Sequence, residues 1–228
     1  MKNSTLVRII LILIIYFALK YLGGPYGRMI LYPITLFVTF LHEFGHALGA
    51  LLTGGQVINV QINEDGSGFM RSSGGSAAII LMGGYLGSAI LGNLLFYIGA
   101  RKPKLAEWTL YIMAASMVLT AVKWFNSPFT TALLVGFAIV FWLIASRTKF
   151  DQEVLMFLGL ASILYIIQDF NVGPSSDLEK YAELFVVLPT VVWMYIWLFV
   201  ALLLTFLNLR MIFKKDRRSG LFKAAETS

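Results

Sequence analysis

His42-Glu43-Phe44-Gly45-His46 sits in the later half of an apolar run that extends from about Met29 to Thr53. Both histidines of the chain fall within these five residues. A run of this length predicts a membrane-spanning helix. Positions four apart share one helix face, so His42 and His46 can point at one ion. Glu43 follows the first of them and can reach a water bound to that ion. The residue types suit Zn²⁺: neutral imidazoles bind it, a third ligand completes the protein set, and an open position holds water. The Glu43 carboxylate then takes a proton from that water.

Composition supports the membrane assignment. The 228 residues are 58% hydrophobic and 13% charged, with mean hydropathy +0.79. A soluble domain carries about 25% charged residues. There is no cysteine, which excludes disulfides and thiolate ligands. The net charge is +6. In a membrane protein a basic excess marks cytoplasmic loops. No basic patch with interleaved aromatics appears, so nucleic acid is not an expected partner. The first apolar run lacks an Ala-x-Ala-like cleavage site and reads as a retained span rather than a signal peptide.

The fold expected is an all-α polytopic membrane protein of about six to seven transmembrane helices with a short β-hairpin after the second. The first span runs from Leu6 to Leu22 and breaks at Gly23-Gly24-Pro25; Gly54-Gly55 ends the second. Ile58, Val60 and Ile62 then alternate with polar residues, Asn63 to Gly66 form a turn, and Gly68 to Arg71 return, which reads as a hairpin at the membrane surface. Further spans are expected over about 76–100, 105–122, 129–145, 154–169 and 185–209. Asn126-Ser127-Pro128 makes a turn, and residues 171–176 form a polar loop. Residues 1–213 are read as one membrane-embedded domain, with 214–228 a basic, disordered cytoplasmic tail. Gly45 and Gly49 in the second span, and Gly83, Gly84, Gly87, Ser88 and Gly92 in the third, place small residues at helical spacing. Such faces let backbones approach closely in lipid, so spans two and three are expected to pack together at the motif.

With seven spans alternating, one side receives Lys20, Arg28, Arg101, Lys102, Lys104, Arg147, Lys149 and the tail cluster from Arg210, and the other Lys2, Arg8, Arg71, Lys123 and Lys180. The positive-inside rule makes the first side and the tail cytoplasmic, and sends the motif end of span two toward the extracytoplasmic face. Lys2 and Arg8 fit this arrangement least well.

A third ligand must be a carboxylate, because no cysteine or third histidine exists. Asp169 ends a long apolar run, where a buried acid is costly and marks a functional candidate. Asp177 is the second candidate, although Ser176 with Glu179 three residues later fits a capping box with Asp177 in its first turn.

The motif and its continuation, His42 to Ala50 followed by Thr53-Gly54-Gly55, resemble the active-site helix of site-2-protease-like intramembrane zinc metallopeptidases. The Gly83–Ser88 stretch, Asp169, Ser176-Asp177 and the span holding Trp193 and Trp197 resemble a compact branch of that family without an accessory domain. The resemblance implies His42 and His46 as zinc ligands, Glu43 as general base, and a membrane-protein or peptide substrate cut in or near a transmembrane segment. Better-known members take their third ligand from an Asn-x-x-Pro…Asp-Gly helix, which this sequence lacks; Asp169 and Asp177 both stay open as the metal aspartate. No PDZ-like screening domain is seen in this sequence, leaving the hairpin edge as the element that could hold a substrate strand. The alternative is a proteolytically inactive relative acting as chaperone, assembly factor or transporter-like scaffold.

Overall fold

The computed structural model describes residues 2–125, 127–169 and 175–214, with side chains from residue 5 onward. Asn126, most of the polar loop before Ser176 and the tail past Lys214 lie outside the described residues.

Helix α1 (Lys2–Phe17) runs through a π-helical turn (Ala18–Leu22) to a break at Gly23, where α2 (Gly24–Leu52) begins. Strands β1 (Gln56–Ile62) and β2 (Gly68–Ser73) follow, then α3 (Ala77–Met82), a second π turn (Gly83–Gly87) and α4 (Ser88–Arg101). The chain continues as α5 (Pro103–Lys123), α6 (Pro128–Arg147), α7 (Asp151–Asp169), the short α8 (Ser176–Leu184) and α9 (Thr190–Phe213). Among the described residues, seven helical segments are long and apolar enough to cross a membrane, with α3, the π turn and α4 counting as one. They coincide with the seven expected runs. Gly54, at φ +79°, turns the chain out of α2; an L side chain there would be strained.

Helix α2 is the centre of the bundle. Leu36 to Leu41 are all buried, and Leu36, Phe37, Phe40 and Leu41 join Leu110, Met117, Leu134, Phe141, Leu155 and Leu158 of α5, α6 and α7 in one cluster. By contrast only 11% of the α1 window and 17% of the α9 window are buried. Exposed apolar side chains such as Ile14, Phe199 and Phe206 are what a lipid-facing helix presents, whereas soluble proteins limit such patches. Asn208 of α9 donates its amide to the Asn93 backbone oxygen at 2.7 Å and to Asn93 Oδ1 at 2.9 Å. This buried pair ties α9 to α4, as interhelical amides do where no water competes.

The hairpin differs from expectation in its placement. Its strands pair antiparallel from Gln56↔Ser73 to Ile62↔Gly68. It does not stand clear of the helices but folds back along α2. Thr39 Oγ1 donates to the Gly66 carbonyl at 2.7 Å, and Tyr32 Oη donates to that of Glu64 at 2.5 Å. The cause is the inward face of β1: Val60 and Ile62 are fully buried, and Thr130 of α6 bonds both the N–H and the C=O of Ile62, at 3.1 and 3.0 Å.

The sidedness of α1 is also corrected. Helix α4 runs antiparallel to α7, with Gly99 against Met156 and Gly92 against Ser162. Helix α1 runs alongside α7 in the same sense. Arg8 pairs with Glu153 at 3.3 Å, Ile9 clusters with Met156 and Leu160, and Lys20 donates to Gln168. Arg8 therefore shares the Arg101 end of the bundle, and Lys20 the Asp169 end. A charge count that assumes strict alternation of spans assigns both to the wrong ends.

Candidate metal centre

His42 and His46 sit on one face of α2, one turn apart, and α8 brings a carboxylate to them. Nε2 of His42 and Nε2 of His46 each lie 3.1 Å from Oδ2 of Asp177, and 3.1 Å from one another. Three ligand atoms thus form a near-equilateral triangle. Bonds of about 2.0–2.1 Å at tetrahedral angles require edges of roughly 3.3 Å, so the triangle matches one face of a tetrahedral zinc site with its fourth position open.

The hydrogen-bonding chemistry also calls for a cation. His46 Nδ1 lies 2.6 Å from the Ile80 carbonyl. A carbonyl can only accept, so Nδ1 carries the hydrogen, and in the neutral ring Nε2 is a bare acceptor. It then faces a carboxylate oxygen and a second imidazole nitrogen, an arrangement that a metal cation between them would satisfy. The Ile80 bond is of the kind that orients a ligating histidine and fixes its tautomer.

Local sequence explains how α8 delivers Asp177. Leu178 is fully buried and Tyr181 nearly so. Tyr181 stacks edge-on against Trp193 and Trp197 of α9, at 4.9 and 5.0 Å between centroids. Trp197 is therefore bundle packing rather than an exposed interfacial anchor. The helix cap lies one residue earlier than expected: Ser175, not Ser176, accepts from Leu178 N at 3.4 Å. That frame is not a capping box, and Asp177 turns to the imidazoles. Burial opposes its ionisation, but the two imidazoles bonded to it hold its carboxyl well below the usual carboxylate range.

Asp169 is not in this triangle. It accepts the phenol hydrogen of Tyr85 at 2.5 Å, and the Tyr85 ring stands at 90° against His42, 4.8 Å between centroids. Tyr85 is a site residue that sequence reading missed. Its one signal was a large aromatic set among the small residues of Gly83–Ser88. Glu43 is buried, with 5% exposure. It borders two cavities that flank the histidines: one reaches Asp169, Tyr85 and Ser88, and the other reaches Asp177, Lys180 and the β2 residues Phe69 and Met70.

The glycine faces pack as expected. A Cβ on Gly45 or on Gly83 would collide with the backbone of the other. At Gly84 a Cβ would stand 2.5 Å from Nε2 of His46 and 2.6 Å from Nε2 of His42. Gly84→Ala is accordingly expected to weaken zinc binding by about 10–100-fold, the range seen when ligand positioning is disturbed. Gly136→Ala, where a Cβ meets nothing within 4 Å, should bind zinc as wild type does. Competition with a zinc-sensitive chelator reads both.

Fold and centre together define a multi-pass membrane protein of the metallopeptidase type, built on a helix that carries two histidines and a glutamate. The family model described as Peptidase M50B-like matches residues 6–208, and the chain belongs to that family, the site-2-protease type of membrane peptidase. No curated protein and no solved structure matches the chain.

Proposed function

We propose that the chain is a zinc-dependent intramembrane endopeptidase that hydrolyses peptide bonds in or near a transmembrane segment of a membrane-protein substrate. The observation that carries this reading is the His42–His46–Asp177 triangle with Glu43 beside it. His42, His46 and Asp177 would hold zinc, and Asp169 acts at one remove through Tyr85. A bound zinc ion would supply Lewis acidity to the scissile carbonyl and to water. Glu43 accepts a proton from the attacking water and returns it to the leaving amine. The small Gly84 face leaves the ligand nitrogens uncovered. The outer edge of β2 offers N–H and C=O groups to a locally unwound substrate strand. Such unwinding is required because a helix keeps its carbonyls in internal hydrogen bonds. The basic end of the bundle, with Arg8, Arg101, Arg147 and Lys214, faces the cytoplasm under the positive-inside rule, so the centre opens toward the extracytoplasmic half.

The test is proteolysis by the purified protein in lipid nanodiscs, using transmembrane peptide pools with products mapped by mass spectrometry. Cleavage that a chelator removes and stoichiometric zinc restores is the expected result. A fully zinc-loaded protein that cuts no member of the pools would favour the inactive scaffold.

A further inference from the structure

Away from the histidines, a cavity of about 280 Å³ opens where α1 and α2 meet against α7. Its polar wall is Lys20 and Arg28 with the rings of Tyr16, Tyr32 and Tyr165, and among the described residues no carboxylate lines it. The Lys20 ammonium donates to the neutral amide of Gln168. The Arg28 guanidinium has no hydrogen bond or ion pair with any described residue. Lys20, half-buried, and Arg28, exposed, thus bring two positive charges to one cleft with no counter-charge among the described residues, a field that favours an anion from outside.

The position says where that anion comes from. Lys20 and Arg28 flank the Gly23 break between two helices, beside Gln168 at the end of α7. Helix ends rich in tyrosine and basic residues mark headgroup depth. On the α2 wall of the cleft Arg28 and Tyr32 are exposed, and the neighbouring α1 presents most of its apolar side chains outward, with 11% of its window buried. A guanidinium matches a phosphate oxygen pair in planar, bidentate geometry. We propose that this cleft binds the phosphodiester headgroup of an anionic lipid, with Lys20 and Arg28 as the phosphate ligands. The cleft shares Val38 and Tyr165 with the cavity beside Glu43, so an acidic peptide segment is the competing occupant. The lipid is favoured by the exposed Arg28 and Tyr32 and by the place of the two cations at helix ends beside the outward-facing α1.

Native mass spectrometry of the full chain in neutral detergent, titrated with phosphatidylglycerol, tests the proposal. One retained phosphatidylglycerol is expected, with phosphatidylcholine retained far less. Each cation contributes about 1 kcal/mol near a membrane surface. K20Q/R28Q should therefore bind roughly thirtyfold more weakly, and Arg28→Gln alone, at an exposed position, about fivefold. K20R/R28K should bind close to wild type, which separates charge from packing. Equal retention by K20Q/R28Q overturns the proposal, as does equal retention of phosphatidylcholine. Displacement of the lipid by inorganic phosphate at the same concentration would make this a small-anion site. Displacement by a hexaglutamate peptide would make it a peptide subsite. Either overturns the lipid assignment. Zinc binding does not enter any of these readouts, so the result stands apart from the protease reading.

Discussion

Asp177→Ala is expected to abolish stoichiometric zinc binding, while Asp169→Ala leaves the stoichiometry intact. Oδ2 of Asp177 is equidistant, at 3.1 Å, from both imidazole nitrogens, so its removal takes away one of the three proposed ligands and the anionic one among them. Loss of an outer-shell partner typically costs 10–100-fold in metal affinity. Loss of a ligand at a three-ligand site should exceed about a hundredfold. Asp169 instead accepts from Tyr85, and its removal reaches the centre only through the ring packed on His42. A decrease within about tenfold is expected there, the lower end of the outer-shell range. Zinc-to-protein ratios after dialysis against graded chelator check both. Equal zinc retention by the two variants would remove Asp177 from the ligand set. Thermal unfolding in the absence of metal guards against misfolding, because Leu178 and Tyr181 should still anchor α8.

Much of this architecture is legible along the chain. The spans follow from apolar runs broken at Gly23, Gly54-Gly55 and Pro103. The hairpin follows from the alternation at Ile58, Val60 and Ile62 and the turn at Gly66, and the packing of α2 on the Gly83–Gly87 turn follows from small residues at helical spacing. What spacing does not carry is which acid returns to the histidines. Asp169 and Asp177 stand eight residues apart at the same end of the bundle. Asp169 had the stronger linear argument, since a carboxylate closing an apolar run needs a partner. The partner is a phenol from α4's leading turn, and no local pattern announces a contact 84 residues distant. Asp177 looked explained by a capping box, and that explanation turned on one residue of register. With Ser175 as the cap, the buried pair Leu178 and Tyr181 sets the rotation of α8.

The hairpin and the π turn show a second limit. Alternation predicts strands but not what they lie against. The buried Val60 and Ile62 and the Thr130 bonds lay the hairpin along α2, so that a Cβ on Gly68 would meet Oε1 of Glu43 at 2.9 Å. The hairpin is thereby a wall of both cavities beside Glu43 as well as the edge proposed for a substrate strand. The π turn at Gly83–Gly87 has no propensity signature. Such bulges recur at functional sites, and this one carries both Gly84 against the imidazoles and Tyr85 against His42.

Glu43→Gln separates chemistry from metal binding. The carboxylate is outside the ligand triangle, so the variant should hold zinc as wild type does. Glutamine matches glutamate in size, so the packing beside Gly68 is kept. Proteolysis should fall by about 10²–10⁴-fold, the usual contribution of a positioned acid–base group. Stability should move the other way. Glu43 is 5% exposed and makes no hydrogen bond or ion pair with the described residues. Burying a charge in that state is costly, and a neutral amide costs less. An unchanged or raised thermal midpoint together with lost cleavage is the pattern of a residue kept for function at the expense of stability. Measured in one preparation, zinc content, thermal midpoint and cleavage rate distinguish the roles. Lost zinc would make Glu43 part of metal retention, a lowered midpoint would make it structural, and undiminished cleavage would remove it as the base.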